Sequence, residues 1–553
     1  MTEEDHSPDS GTDEAPLPLT AAHDWPCPPE GWQGLPALVV GAGESGLAMA
    51  RWLQNQGAAV RMIDSRRQAQ GAVPQGIDLR LGVAEPFAAD HLHGCRLLAL
   101  SPGLTPHADR GSPMTALLQE AEKSAVTVVG ELDLFDWSLA HLAKTGSGGE
   151  PPMSLALQGQ KVLAVTGTNG KTTTARLTAH LLRHAGLDVQ EAGNQGPALL
   201  EGFLQRQAAG RWPDVWVVEL SSFQLALAHR FSCTAATVLN LTQDHQDWHL
   251  DMTDYQAAKL RIFGLAHAHA LGLPVIDRDG GTLAQAITAH IAAAASEPPV
   301  KAGSRRRMRA DSEARRPISF GLSAPPPQGP AFGVVYQGID WLAYQPAAEG
   351  AGLQRLMPVG ALKIQGRHNL RNAMAALGLA LTVSDDLAGM LHALRRYAGE
   401  PHRMQWVTEV EGVSFINDSK ATNVGATVAA LAGTEGSVIV IVGGQGKGQD
   451  FTDLIEALQA RGASVLGIGT EGPNLVESSR QVGLRASLCT DLGAAVEQAW
   501  QWARADQAAT GRRVMVLLSP ACASFDMFKN YADRGDKFMA LAQTRAQMEG
   551  QLC

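Results

Sequence analysis

The stretch from Lys161 to Thr174, KVLAVTGTNGKTTT, constrains this chain more than any other. Val162 to Val165 is a short apolar run that reads as a buried parallel strand. Gly167-Thr168-Asn169-Gly170 turns the chain, and Thr172 to Arg183 reads as a helix. A strand, a glycine-rich turn and Lys-Thr at the head of a helix make a cradle for phosphates. Backbone N–H groups and the helix N-terminus face the anion, Lys171 reaches the terminal phosphates, and the Thr172 hydroxyl, followed by Thr173, can hold Mg²⁺. The spacing departs from the general P-loop, because only Thr168 and Asn169 separate Gly167 from Gly170-Lys171. An ordinary strand–helix turn with a surface lysine would leave unexplained why lysine, hydroxyl and both flanking elements coincide.

At 553 residues the chain is too long for one core, and at ~100–200 residues per domain it should hold three or four. A hydrophobic content of 45%, with 58 glycines and 5% aromatic residues, suits a Gly- and Ala-rich α/β protein. Residues 1–25 hold seven acids and no Lys or Arg, so most of the net charge of −10 lies there. Nothing global favours nucleic acid or an anionic membrane as partner. Six scattered cysteines without a CxxC pair indicate neither a zinc site nor a disulfide framework. No basic-then-apolar leader precedes the first domain and no apolar run approaches ~18 residues, so a reducing cytoplasm is the expected location.

Residues 1–33 are acidic, without a periodic apolar face, and read as a disordered tail. From Leu35 the pattern changes. Leu38 to Val40 is a strand, Gly41-Ala42-Gly43-Glu44-Ser45-Gly46 a turn, Leu47 to Gln56 a helix, and Ala59 to Ile63 a strand ending in Asp64-Ser65. A βαβ unit with GxGxxG and an acid 18 residues beyond Gly46 is a dinucleotide-binding fingerprint, which alone would suggest NAD. Leu97 to Leu100 is a further strand that leads into Ser101-Pro102-Gly103.

Beyond an irregular stretch at 141–160, two more strands end in polar residues. Val215 to Val218 delivers Glu219, and Ala236 to Leu239 runs toward Asp244-His245. Thr172, Glu219 and His245 thus close three strands of one sheet with a hydroxyl, a carboxylate and an imidazole, a set that suits Mg²⁺ among phosphate oxygens. Residues 295–330 are a second irregular zone; its arginine run lacks interleaved aromatics and reads as a solvated insertion. A helix from Leu370 to Thr382 follows Gly366-Arg367-His368-Asn369, with Asn369 a good N-cap. A last α/β domain begins near Pro401. Its strands Val413–Ile416, Val438–Val442 and Val514–Leu518 lead into Asn417 to Asn423, Gly443 to Lys447 and Ser519 to Asp526. Lysines and hydroxyls at these ends suit an anionic substrate such as an amino acid with an extra carboxylate.

With these residues in view the chain, from about Leu35 to its C-terminus, resembles the Mur ligase family. The phosphate loop Thr166 to Thr173 is shared with folylpolyglutamate synthases; the more specific likeness lies in Ser101-Pro102-Gly103, Asn417 to Asn423, and Ser519 to Asp526 with Phe528-Lys529-Asn530. The resemblance implies an α/β protein of three domains after the 1–33 tail. These are a Rossmann-like UDP-binding domain (34–137), a central P-loop ATPase-type parallel-sheet domain (138–400) and a C-terminal Rossmann-like amino-acid-binding domain (401–553). It implies an ATP- and Mg²⁺-dependent monomer that adds D-glutamate to UDP-N-acetylmuramoyl-L-alanine. Glu44, Ser45, Asp64, Ser65 and Ser101 would hold the UDP portion, with Asn194 near the sugar and the reacting carboxylate. The loop Gly167 to Thr173 would take the ATP phosphates, and Asn369, Asn372, Arg403 and Asp418 would contact ATP from across the cleft. Thr172, Glu219, His245 and a carbamylated Lys259 would organise Mg²⁺. Lys420, Thr422, Lys447, Ser524, Phe525 and Tyr531 would surround D-glutamate, with Lys420 also counted as catalytic beside Lys171, Glu219, His245 and Lys259. Alternatives are a related amide ligase, an NAD(P)-dependent oxidoreductase supported only by the first βαβ unit, and a P-loop NTPase acting as a switch.

Overall fold

In the computed structural model, residues 31–106, 114–142, 160–264, 272–296, 316–348, 350–364, 366–434, 436–446 and 448–549 are described. The chain forms two compact units: Met1–Trp137 with Leu227–His229, and Ser138–Ala226 with Arg230–Cys553.

The first unit is built on five parallel strands, β1 (Pro36–Val40), β2 (Ala59–Asp64), β3 (Asp78–Leu81), β4 (Leu97–Leu100) and β5 (Thr127–Gly130), in the order 3-2-1-4-5. β1 and β4 are buried almost throughout, which is why they read as unbroken apolar runs. Strand order reverses between β1 and β4, the position where open parallel sheets bind ligands. The first helix begins at Glu44, three residues before the sequence reading placed it, because Gly43 already has the extended N-cap conformation. The tail reading also needs correction at its end. Trp32 is buried, with its ring edge-on to Trp52 at 5.1 Å and to Trp137 at 5.2 Å. A lone tryptophan carries no periodic signal, so pattern reading missed it. Residues 1–30 lie outside the described residues.

The second unit contains two sheets. Nine strands, β6 (Lys161–Thr166), β7 (Val189–Gly193), β8 (Val215–Glu219), β9 (Ala235–Val238), β10 (Leu273–Asp277), β11 (Ile318–Phe320), β12 (Ala331–Gln337), β13 (Ile339–Gln345) and β14 (Gln354–Pro358), run in the order 14-13-12-11-10-9-6-8-7. From β7 to β12 neighbours are parallel; β12, β13 and β14 pair antiparallel. β11 falls inside the 295–330 stretch expected to be irregular. It is only three residues long, too short to show a period, and it joins β10 in parallel. Residues 297–315, with the arginine run, and 143–159 lie outside the described residues. The helices Lys171–His184 and Arg367–Ala380 cover this sheet, their Ala and Leu residues sharing one core with Leu163, Val165 and Val217. Gly366 caps the second of these helices, so Asn369 lies in its first turn and is not the cap.

The remaining sheet has six strands, β15 (Gln405–Val410), β16 (Val413–Asn417), β17 (Ser437–Gly443), β18 (Ser464–Ile468), β19 (Ala486–Leu488) and β20 (Val514–Leu518), ordered 15-16-20-17-18-19. Only the edge pair β15–β16 is antiparallel. β16, β20 and β17 are adjacent, so the turns beginning at Asp418, Ser519 and Gly444 leave the same sheet edge side by side. Among the described residues, no helix is long and apolar enough to cross a membrane.

Candidate functional site

In the first unit the turns after β1, β2 and β4 enclose a cavity of about 400 Å³. Glu44, Ser45, Asp64, Ser65 and Ser101 all line it, so the five first-domain candidates are brought together. A Cβ on Gly46 would lie 1.8 Å from the Gly41 carbonyl oxygen, so only glycine lets the helix head close onto its own turn. Ser101 Oγ donates to that carbonyl at 3.2 Å. Asp64 accepts from the Ala42 N–H at 2.6 Å and takes the Arg66 guanidinium on both oxygens. Burial alone would raise its pKa, but the Arg66 hydrogen bond and the Ala42 and Arg66 N–H groups hold it below the usual carboxylate value. Arg66, absent from the sequence expectations, thereby stands at the cavity wall as a cation beside the acid.

In the second unit, β9, β6 and β8 are neighbours, and their ends assemble around the phosphate loop. The Asn169 N–H donates to Asn240 Oδ1 at 2.8 Å, Asn240 Nδ2 returns a bond to the Asn169 carbonyl at 3.0 Å, and the Thr242 N–H donates to Thr168 Oγ1 at 3.0 Å. Gly170 caps the following helix at φ +83°, and a Cβ there would meet Asn372 Oδ1 at 2.5 Å. Lys171 Nζ donates to the Gly167 and Thr168 carbonyls at 2.9 and 2.8 Å. Lys259 Nζ donates to the same Gly167 carbonyl at 3.0 Å and lies 4.4 Å from the Tyr255 ring centre. Two amines thus share one carbonyl oxygen. Burial lowers the pKa of Lys171, with Glu219 and Asp244 opposing. Burial, joined by the charge of Lys171, pushes Lys259 well below the ordinary lysine value. Lys259 is only 2% exposed.

Glu219 ends β8. Asn194 donates to it twice at 2.8 Å, from Nδ2 to Oε1 and from the backbone N–H to the main-chain carbonyl. Glu219 Oε2 is buried with no hydrogen-bond partner, an acceptor that a hard cation would satisfy. The Thr172 hydroxyl accepts from Arg403 Nη2 at 3.0 Å. His245, at φ +55°, has Asp244 at 3.6 Å from its Nε2 and packs on Phe223 and Tyr255. Among the described residues no group of three or more His, Cys, Asp or Glu side chains could hold a metal by itself. The donors fit Mg²⁺ in its usual manner, one or two carboxylates supplemented by substrate phosphates and waters.

A second cavity in this unit, about 600 Å³, is lined by Asn169, Gly170, Thr173, Asn369, Asn372, Arg403, Asp418 and Lys420. Asn372 Nδ2 donates to Asn369 Oδ1 at 3.2 Å. Asp418 accepts from the Met404 N–H at 3.1 Å and from Ser519 Oγ at 2.8 Å; burial raises its pKa to about 7 despite these bonds. Burial and the nearby Arg403 lower Lys420 to about 8. Its ammonium lies 5.0 Å from the Tyr531 ring centre. Thr422 is half-buried two residues on, and Ser524 is buried on the turn after β20. Phe525 is 69% exposed, and among the described residues no hydrogen bond or ring contact joins Ser524 or Phe525 to Lys420. The amino-acid candidates are therefore only partly assembled. Lys447 lies outside the described residues.

The structure adds residues that sequence reading passed over. Asp244 bears electrostatically on both Lys171 and Lys259 and accepts from Asn423 Nδ2 at 3.1 Å. The Tyr255 hydroxyl lies 3.1 Å from the Thr168 hydroxyl. Arg534, fully buried, donates to Ser419 and to the Cys522 carbonyl. Asp244 directly precedes His245 in the sequence; Arg534, in the first turn of the helix Tyr531–Met548, carries no local pattern that marks it.

Comparisons with known proteins cover all three sheets. The Mur ligase MurD-like N-terminal domain family matches residues 36–130, the Mur ligase middle domain family 165–301, and the Mur ligase glutamate ligase domain family 402–522. A UDP-N-acetylmuramoylalanine–D-glutamate ligase of Bordetella pertussis is 39% identical over 542 residues, covering 93% of this chain and 97% of its own length. Its counterpart from Cupriavidus pinatubonensis is 40% identical over 538 residues with the same coverage. A crystal structure of a UDP-N-acetylmuramate–alanine ligase from Thermotoga maritima aligns with a TM-score of 0.50 at 17% identity, over 92% of this chain and 100% of that one, a likeness of fold.

Proposed function

The chain belongs to the Mur ligase family, and from that premise we propose that it joins D-glutamate to UDP-N-acetylmuramoyl-L-alanine at the expense of ATP, in peptidoglycan precursor synthesis. Near-full-length similarity to D-glutamate ligases is the observation that supports the substrate pair most directly. An oxidoreductase would leave Lys171, Glu219 and Lys259 on the phosphate-loop cluster without a task.

A carboxylate is a poor electrophile, so it must be activated before an amine can attack. The L-alanyl carboxylate attacks the γ-phosphorus of ATP, ADP leaves, and an acyl phosphate forms. Lys171, released from its loop carbonyls, offers its ammonium to the transferring phosphoryl group. Thr168 to Thr173 hold the phosphates through backbone N–H groups, and Asn369, Asn372, Arg403 and Asp418 line the nucleotide cavity. The free amine of D-glutamate then attacks the acyl carbon, and phosphate leaves from the tetrahedral intermediate. Lys420 offers a cation to the amino acid's carboxylate, with the Tyr531 ring beside it; Thr422, Lys447, Ser524 and Phe525 would complete the amino-acid site, and Asn194 would stand near the reacting carboxylate. Glu44, Ser45, Asp64, Ser65 and Ser101 form the uridine diphosphate cavity.

Thr172, Glu219, His245 and Lys259 would hold Mg²⁺, which when bound neutralises charge on the phosphate oxygens. Lys259 suits this only in a modified form, because an ammonium there would repel the metal. Its buried amine, with the lowered pKa that burial imposes, can add CO₂ and lose a proton to give a carbamate, a long anionic ligand. Every residue named comes from one chain, so a monomer suffices, and the supply of ATP and nucleotide-linked precursor favours the cytoplasm. The test is phosphate release from ATP with UDP-N-acetylmuramoyl-L-alanine and Mg²⁺, each amino acid being offered in turn. Release dependent on D-glutamate alone is expected. Release without any amino acid, or with another one preferred, would overturn the assignment.

A further inference from the structure

The turn after β7 is pinned to the end of β8. The Gly193 N–H donates to the Pro197 carbonyl at 2.9 Å, and Asn194 binds Glu219 through side chain and backbone. The next residue, Gln195, is half-buried, and its Oε1 accepts from Lys420 Nζ at 3.1 Å. Lys420 in turn stands on a fixed backbone. Its N–H donates to the His402 carbonyl at 3.1 Å, and the preceding Ser419 is held by Arg534 at 3.0 and 2.8 Å. A short path therefore runs from the carboxylate of Glu219 through Asn194 and Gln195 to the ammonium of Lys420.

We propose that Gln195 is a positioning residue that orients the Lys420 ammonium toward the carboxylate of the incoming amino acid. The inference rests on the ligase reading above and deepens it. An ammonium has three donors. Gln195 occupies one and the Tyr531 face covers a side of the group, which leaves donors for a substrate carboxylate. The neutrality of the amide is essential to the arrangement. It fixes the direction of Nζ without cancelling the charge, whereas a carboxylate at the same place would form an ion pair and compete with substrate. Because Gln195 follows the residue that holds Glu219, the same turn places the amino-acid cation relative to the phosphoryl-transfer end of the site.

The test compares wild type, Gln195→Ala and the isosteric Gln195→Glu in phosphate-release assays, titrating D-glutamate, ATP and UDP-N-acetylmuramoyl-L-alanine in turn. Gln195→Ala should raise the KM for D-glutamate about five- to tenfold, the size of one ordinary net hydrogen bond, with the KM for ATP within about twofold. Gln195→Glu should raise the D-glutamate KM further still. An unchanged D-glutamate KM in both variants, an equal rise for ATP, or a fall in kcat alone would overturn the proposal. Wild-type enzyme without D-glutamate-dependent phosphate release would overturn the ligase reading itself, so the two failures are told apart by the wild-type curve.

Discussion

At the scale of single residues, the site is governed by what burial does to charge. Lys259 is the extreme case, a fully enclosed amine that shares a carbonyl with Lys171. Lys259→Ala should fold and bind the UDP substrate, yet lose roughly 10²-fold or more of kcat if it supplies an anionic ligand. Lys259→Arg should be no better, since guanidinium stays cationic and forms no such carbamate; near-normal turnover in that variant would exclude the modification. Asp418 shows the same physics with opposite sign. Burial raises its folded pKa to about 7, above the unfolded value, so its contribution to stability is full below about pH 4 and is lost as pH rises through 7. Asp418→Asn stays neutral and should flatten that dependence. In urea titrations the wild type should lose on the order of 2–4 kcal/mol relative to the variant between pH 5 and 8. Parallel pH profiles for the two proteins would show that Asp418 titrates normally.

Elements matter here through their ends. The turns after β16, β17 and β20 leave one edge side by side, and in the sequence Lys447 follows Gly443-Gly444-Gln445-Gly446 directly. A lysine is a compact point charge suited to a carboxylate. Lys447→Ala should therefore raise the KM for D-glutamate far more than that for ATP; a defect confined to ATP would remove the residue from the amino-acid site. The entry to β1 is a second case. Trp32 packs edge-on against Trp52 and Trp137, so the folded part of the chain includes it. Removing residues 1–30 should leave the melting temperature and ligase activity essentially as they were. Trp32→Ala should destabilise by about 3–5 kcal/mol, measured by denaturant unfolding. Equal melting temperatures for the two proteins would show that the aromatic contact contributes little.

On the scale of the whole molecule, each of the two compact units holds a cavity of its own. The one proposed for uridine diphosphate belongs to the first, and the phosphate loop with its 600 Å³ cavity to the second. A ligand bound only by the folded form stabilises what it binds, by about 2.7 kcal/mol at a hundredfold excess over its Kd. Calorimetry should therefore show UDP raising one unfolding transition and ATP another. A single transition moved equally by either ligand would mean the units unfold as one. Within the second unit, the central and C-terminal sheets are tied by side chains from both. Arg403 donates to Thr172, Asn169 and Asn423 exchange amide bonds at 3.3 and 3.4 Å, and Arg176 pairs with Glu400.

The sequence alone determined the parallel strands and the phosphate loop, because buried strands are continuous apolar runs and a phosphate turn needs glycines and a lysine at fixed spacing. β4 and β20 have the ends read from sequence, Leu97–Leu100 and Val514–Leu518. It also marked Glu219, Asp418 and Lys420, since polar residues at the C-terminal ends of apolar strands stand out against their neighbours. Tertiary structure alone decided which of those residues meet. Gln195 reaches Lys420 across 225 positions of sequence, Arg403 reaches Thr172 across 231, and Trp32 finds its partners in two different helices. β11, three residues long, exists only because β10 offers a hydrogen-bonding edge. Periodicity and spacing are local properties of the chain. The pKa of a buried lysine, the partner of an amide and the edge of a sheet depend on groups that only folding brings within reach.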